Sequence, residues 1–149
     1  CCNKIRVTAA AKGLAFIYHP DPCIPENCIL DDMKLEQVLN NLLGNAIKFT
    51  EKGRVELRVE VQSEPDSDNK QTLFFSVTDT GIGIPHEQQL IIFQAFSQAD
   101  TSISRKYGGT GLGLSISKKF LDLMGSDLLL RSTKDKGSVF SFELEVQRV

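Results

Sequence analysis

Two strand-like runs separated by a polar tip commit this chain to a fold built on a sheet. Arg54-Val-Glu-Leu-Arg-Val-Glu-Val61 alternates strictly, with Val55, Leu57, Val59 and Val61 on one face and the charges on the other. That period of two marks a half-buried strand. Thr72-Leu-Phe-Phe-Ser-Val-Thr78 is apolar on both faces and reads as a central strand. Gln62 to Gln71 between them is rich in turn formers, so the two runs form a hairpin with a long tip. A second pair, Asp127 to Ser132 and Ser138 to Val146, repeats the arrangement around Lys134-Asp-Lys-Gly137, with Phe140, Phe142, Leu144 and Val146 on one face. Helical segments separate these strands. Residues 3–12 form a helix stopped by Gly13, ahead of a short strand from Leu14 to His19, and residues 32–49 make the longest helix. Residues 86–95 and 115–124 make two more, the last ended by Gly125. Paired strands with helices between them predict an α+β domain of two layers.

Composition narrows the function classes. A chain of 149 residues, 41% hydrophobic, fits one domain, 1–149, with a real core and no need of disulfide or metal staples. No apolar run approaches the ~20 residues of a membrane span, which argues against direct membrane contact. Nineteen acids against seventeen bases leave a net charge of −2, which argues against a nucleic-acid partner. The cysteines, Cys1, Cys2, Cys23 and Cys28, lack the spacing of a zinc knuckle and read as free thiols of a reducing, cytoplasmic compartment. The start at Cys1, without Met, is expected of a fragment of a longer protein.

Three segments carry chemistry. On the long helix, Leu35, Val38, Leu39, Leu42, Ala46 and Phe49 follow the spacing of a core-facing stripe. Gln37, Asn41, Asn45 and Lys48 fall opposite, within roughly 80° of arc. Asn is a poor helix former, so two of them one turn apart, followed by Lys, need a reason. Carboxamide oxygens can ligate Mg²⁺ and the Lys can reach a phosphate; a merely solvated face is the alternative. Asp79-Thr-Gly-Ile-Gly-Ile-Pro85 follows the buried strand, with Gly81 and Gly83 permitting φ > 0 and close backbone approach. Asp79 at the strand end could accept from an amine on a planar ring, or the segment could be an ordinary strand-to-helix turn. Tyr107-Gly-Gly-Thr-Gly-Leu-Gly-Leu114 runs into a helix. Glycines 108, 109, 111 and 113 would leave backbone N–H groups open at its N-terminus, a seat for phosphate. Between the two turns, Ser97 to Lys106 is polar and ends in Arg105 and Lys106, either a surface loop or a lid that carries cations toward a phosphate.

Together these segments resemble the ATP-binding catalytic domain of sensor histidine kinases, whose superfamily also holds gyrase, the ninety-kilodalton heat-shock chaperones and MutL. Asn41-Leu-Leu-Gly-Asn-Ala-Ile-Lys-Phe-Thr50 matches the family's N box, Asp79 to Ile84 its first glycine box, Phe93 to Phe96 its phenylalanine box, and Gly109 to Leu114 its second glycine box. Lys12-Gly-Leu14 and Gly137-Ser-Val-Phe140 match flanking signatures, and the wording from Phe96 to Ser115 is especially like hybrid kinases, which also carry receiver domains. The resemblance implies a Bergerat-type fold: a mixed, mostly antiparallel sheet covered on one face by helices, with ATP between helices and lid. It implies that Asn45 ligates Mg²⁺ with Asn41 assisting, that Lys48 contacts a phosphate, and that Asp79 holds the adenine amine in a pocket shaped by Gly81 and Gly83. Arg105 and Lys106 would meet phosphates from the lid. Gly109, Thr110, Gly111, Leu112, Gly113 and Leu114 would form the segment that wraps them, while Phe93 and Phe96 anchor the lid.

Asn41 also bears on mechanism, because the superfamily's ATPases place a Glu general base at that position. An amide cannot take a proton from water, so fast hydrolysis is not expected. Transfer of the γ-phosphoryl group to an imidazole fits better. Neither His19, before Pro20, nor His86, after Pro85, has the Ser-His-Glu type of context of an acceptor. The acceptor is therefore expected on a separate dimerisation hairpin of the same protein, and a receiver domain is the expected onward partner. This fragment would be a monomer, its full-length protein a homodimer that a membrane anchor elsewhere in the protein could hold. Lys34 for the family's usual Arg and Gly125-Ser126 for its Gly-Gly touch no nucleotide position. Two other readings stand beside this one: a regulatory or hetero-dimerising module of a degenerate kinase, and a gyrase- or chaperone-like ATPase.

Overall fold

The computed structural model describes residues 2–89, 92 and 112–149, with Leu112 described in its backbone alone. Among the described residues the elements follow in the order α1 (Cys2–Ala11), β1 (Ala15–Pro20), β2 (Cys28–Ile29), α2 (Asp32–Lys48), β3 (Arg54–Val61), β4 (Lys70–Asp79), α3 (His86–Gln89), α4 (Leu112–Leu123), β5 (Leu129–Thr133) and β6 (Gly137–Arg148). The strands form a single sheet in the order β1-β3-β4-β6-β2, with β5 also paired to β6. β1 and β3 run parallel, and all other pairs are antiparallel. A parallel pair needs a crossover, and α2 supplies it. The sheet is mixed and mostly antiparallel, as expected.

Alternation in β3 and β6 decides which side of the sheet is buried. Val55, Leu57 and Val59 lie in the core with Leu73, Phe75 and Val77 of β4 and Phe140, Phe142, Leu144 and Val146 of β6. Phe75 and Phe142 are direct cross-strand partners, and their rings stack at 4.9 Å with 8° between planes. Arg54, Glu56, Arg58 and Glu60 alternate with the buried set, and local pairs such as Arg58–Glu60 at 3.4 Å lace that outer side. β4 is central because β3 and β6 flank it, but its second side is less apolar than the sequence suggested. Of Thr72, Phe74, Ser76 and Thr78 only Ser76 is buried, so that side is wet and the helices lie on the other.

Helix α2 is the keystone of the helical layer. Asp31 caps it, its Oδ1 accepting from the Lys34 N–H at 3.0 Å while Lys34 Nζ reaches Oδ2 at 2.5 Å. That lysine holds the Asp31 carboxyl below the usual carboxylate range. Val38, Leu39, Leu42 and Ala46 are buried as expected, and so are Leu43 and Ile47. The wider arc follows from packing on three sides: the sheet beneath, α1 on one flank and α4 on the other. One strand was not expected from the sequence, and another runs further than expected, for the same kind of reason. β2 has two residues, too few to show a period, and exists because Cys28 and Ile29 pair with the end of β6. β6 in turn runs to Arg148, whose N–H also donates to Asn69 O at 2.9 Å. Among the described residues no helix is long and apolar enough to cross a membrane.

Candidate functional site

The polar stripe of α2 meets the first turn of α4. Asn41 Nδ2 donates to Gly113 O at 3.3 Å and to Ser117 Oγ at 3.2 Å, while its Oδ1 accepts from Gln37 Nε2 at 3.3 Å. A Cβ placed on Gly113 would lie 3.8 Å from Asn41 Cγ and 3.9 Å from Asn45 Nδ2, ordinary contact distances. Gly113 is therefore seated beside both asparagines. Asn41 is a strut between the two helices as well as a candidate ligand, a role that spacing on one helix could not reveal. Ser117, fully buried, receives that strut and was not singled out from the sequence. Its signal is a hydroxyl one turn after Gly113 on the face of α4 that also carries Leu121. No hydrogen bond engages the Asn45 carboxamide among the described residues, and Lys48 makes no ion pair among them.

The Asp79 turn docks on the other end of α2. Asp79 closes β4 opposite Val55 of β3 and Ser138 of β6, and is 7% exposed. Burial pushes its carboxyl above the usual carboxylate range, partly offset by backbone donors from Gly81 and Ser138; the Gly81 N–H reaches Oδ1 at 2.9 Å. Gly81 and Gly83 are required for different reasons. Gly81 is not in the positive-φ region; a Cβ there would stand 2.3 Å from Phe49 O and 2.9 Å from Thr50 Oγ1. Gly83 has φ +67° and would place a Cβ 2.0 Å from Thr133 O. Both close approaches carry hydrogen bonds: Ile82 N to Phe49 O at 3.2 Å and Asp135 N to Ile82 O at 2.6 Å. Thr50, fully buried with its Oγ1 donating to Ala46 O at 2.7 Å, forms the hard surface beneath Gly81.

Lys48 ends α2, and its carbonyl accepts from Lys12 Nζ at 3.0 Å, beside Ile47 O at 2.7 Å. Leu114 packs its side chain against the core and leaves only its backbone for the site. Phe93, Phe96, Arg105, Lys106, Gly109, Thr110 and Gly111 lie outside the described residues, as does the side chain of Leu112. Both histidines are exposed, His19 Nε2 standing 3.6 Å from Glu56 Oε1. Asn41, Asn45, Gly113 and Gly81 are thus arranged along α2, from its middle to its C-terminal end, while Asp79 is held between β3 and β6 and Gly83 packs on the connection after β5.

Comparison with known proteins identifies the family. Residues 30–148 match the family described as histidine kinase-, DNA gyrase B-, and HSP90-like ATPase. The chain is 44% identical over 135 residues to the signal transduction histidine-protein kinase BarA of Escherichia coli (strain K12), covering 91% of this chain and 14% of BarA. It is 36% identical over 151 residues to the peroxide stress-activated histidine kinase mak2 of Schizosaccharomyces pombe, covering 100% of this chain and 6% of mak2. Its span is thus a small part of either relative. Among solved structures, full-length ShkA in complex with AMPPNP superposes with a TM-score of 0.80 at 30% identity, over 99% of this chain and 28% of that one. The catalytic domain of histidine kinase ThkA gives 0.69 at 28% identity, over 96% of this chain and 90% of that one. With the asparagine face, the buried strand-end carboxylate and the sheet topology in place, the chain belongs to the histidine kinase-, DNA gyrase B- and HSP90-like ATPase family, among the ATP-binding catalytic domains of sensor histidine kinases.

Proposed function

We propose that this domain binds Mg–ATP and donates the γ-phosphoryl group to a histidine on a separate dimerisation hairpin of the same protein. The observation that carries the reading is that one helix joins the asparagine face to the Asp79 turn. Asn41 and Asn45 meet the Gly113 turn at its middle, and the Asp79 turn is hydrogen-bonded to its C-terminal end. The donor set suits the metal. Asn45 offers a carboxamide oxygen that no neighbour uses among the described residues, and Asn41 can assist through Oδ1 while its Nδ2 keeps the strut. Bound there, Mg²⁺ would neutralise charge on the β- and γ-phosphates.

The chain's own residues do the rest. Asp79 accepts from the adenine amine, Lys48 approaches a phosphate, and Arg105, Lys106 and the backbone of Gly109 to Leu114 close over the tail. The acceptor imidazole nitrogen attacks phosphorus, the bond to the β-phosphate oxygen breaks, and ADP leaves with that electron pair. Asn41 cannot act as a general base, which leaves water a poor competitor. A receiver domain then takes the phosphoryl group from histidine, in a homodimeric kinase whose catalytic part is cytoplasmic.

Calorimetric titration of Mg–ATP into the chain tests binding, with Asn45→Ala expected to abolish the signal. Radiolabelled γ-phosphate should then appear on a supplied histidine hairpin and not on the chain alone. A wild-type chain that binds Mg–ATP but labels no hairpin would refute phosphotransfer and leave a regulatory module.

A further inference from the structure

Both methionines of the chain, Met33 and Met124, lie at the end of the helical layer away from the asparagine face, one in the first turn of α2 and one just past α4. Two hollows open there. One, of about 440 Å³, has Leu30, Leu123, Met124 and Leu144 as its apolar walls. The other, of about 730 Å³, is walled by Cys28, Ile29, Leu30, Leu35 and Leu39. Leu30 lines both, so they are two parts of one groove. Its edges are bare: Ile29 is 65% exposed, Leu123 74%, and Met33, between the lining residues Asp32 and Lys34, 79%. Single exposed apolar side chains are ordinary, but a set of them beside a concave apolar surface marks a binding site. Methionine suits such a site, because its unbranched thioether adapts to the shape of a partner.

Charge selects the occupant. Asp31, Asp32, Glu36 and Glu145 line the groove against one base, Lys34, a local balance of −3 in a chain whose net charge is −2. Asp31 holds the Lys34 ammonium at 2.5 Å and Glu145 lies 3.1 Å from Lys70, while Asp32 and Glu36 make no ion pair among the described residues. Such a rim repels an anionic lipid surface or a phosphate backbone and attracts cations. Two hollows side by side suit apolar side chains one turn apart on a helix, with the flanks of that helix left to meet the rim. We propose that this groove, between the start of α2, the end of α4 and β2, docks a basic amphipathic helix of a partner protein. The apolar stripe of that helix fills the two hollows, and its Lys and Arg residues meet Asp32 and Glu36, steering the approach and fixing the register. The Asn41 strut joins α2 to the opposite end of α4, so a helix held here leaves the asparagine face open. The proposal does not depend on the nucleotide reading.

The probe is a fluorescently labelled helical peptide with Leu at i, i+4, i+7 and i+11 and Lys or Arg on both flanks of that stripe, and its control is the same peptide with every base replaced by Glu. Fluorescence anisotropy with the wild-type chain should show saturable binding of the basic peptide that weakens as salt rises, and none of the acidic one. Asp32→Asn with Glu36→Gln should weaken binding about three- to tenfold, the scale of two partly screened ion pairs, and flatten the salt dependence. Met33→Gln with Leu123→Gln should weaken it at least about tenfold, the scale of two large side chains that lose their burial. All four side chains are exposed, so both double variants should keep the circular dichroism and thermal melt of the wild-type chain. Should one of them not fold, Ile29→Thr, at another exposed edge of the groove, must weaken the basic peptide instead. Absence of saturable binding, equal binding of the acidic peptide, or an unchanged constant in the folded Met33 and Leu123 double variant overturns the proposal. Self-association of the chain in sedimentation that this double variant abolishes, or cosedimentation with phosphatidylserine vesicles, would assign the groove to another occupant and overturn it equally.

Discussion

Gly83→Ala and Gly13→Ala form a matched pair that tests whether the Asp79 turn is held by close packing or only by backbone conformation. Both glycines are left-handed, at φ +67° and +77°. Both alanines would therefore meet the same conformational penalty, about 1–2 kcal/mol. They differ in space. Around Gly13 no heavy atom lies within 4 Å of the new methyl, whereas at Gly83 it would stand 2.0 Å from Thr133 O, 2.7 Å from Thr133 C and 3.1 Å from Lys134 Cα. The obstruction is backbone, tied to the turn by the Asp135 N to Ile82 O and Ile84 N to Ser132 Oγ hydrogen bonds, so it cannot rotate away. Separation means overpacking strain of about 1–3 kcal/mol, or loss of one of those bonds at about 1 kcal/mol. Gly83→Ala should thus cost about 2–5 kcal/mol and Gly13→Ala about 1–2 kcal/mol, summing those penalties. Urea unfolding with linear extrapolation measures both. For a chain of this size the excess at Gly83, about 1–3 kcal/mol, corresponds to a Tm lower by roughly 3–10 °C than that of the Gly13 variant. Equal losses in the two variants would refute the claim that the turn is clamped by the β5–β6 connection.

Asp79→Asn should stabilise the nucleotide-free domain at neutral pH while weakening ATP binding, because burial raises the folded-state pKa of that carboxyl. A raised acid contributes stability below its unfolded pKa and loses it as pH rises through the folded value, so the advantage of Asn should shrink on acidification; thermal melts from pH 4 to 8 check it. Asn45→Ala should change stability by no more than about 0.5 kcal/mol, since no neighbour uses its carboxamide among the described residues, yet remove Mg–ATP binding. Asn41→Asp should cost roughly 2–3 kcal/mol by setting a carboxylate against Gly113 O, with hydrogen exchange rising along α4.

The fold was legible where a period runs long enough to be seen. The four alternating residues from Val55 to Val61 and the stripe of α2 announced the sheet and its cover. What was missed belongs to contacts between distant segments. Leu43 and Ile47 are buried only because α1 and α4 flank α2, and Cys28-Ile29 is a strand only because β6 reaches it. The site divides in the same way. Asn41, Asn45 and Asp79 stood out because their residue types are unusual at those positions. Ser117 and Ser132 are ordinary serines whose partners lie 76 and 48 residues away. The two glycines of the Asp79 turn looked alike in sequence, and only their neighbours separate the one pressed on α2 from the one that needs φ > 0.

Lys12 has a consequence for the electric field at the site. The last carbonyls at a helix C-terminus carry about half a negative elementary charge, and in α2 that pole lies next to Lys48, the residue proposed to meet a phosphate. The Lys12 ammonium sits on two carbonyls of that end, Ile47 and Lys48, and offsets the negative charge there. The countercharge is carried by the residue that follows α1, 35 residues upstream of Ile47. A tilt of α1 that drew Nζ away would bare the negative pole beside Lys48 and repel polyphosphate without disturbing any residue that touches it.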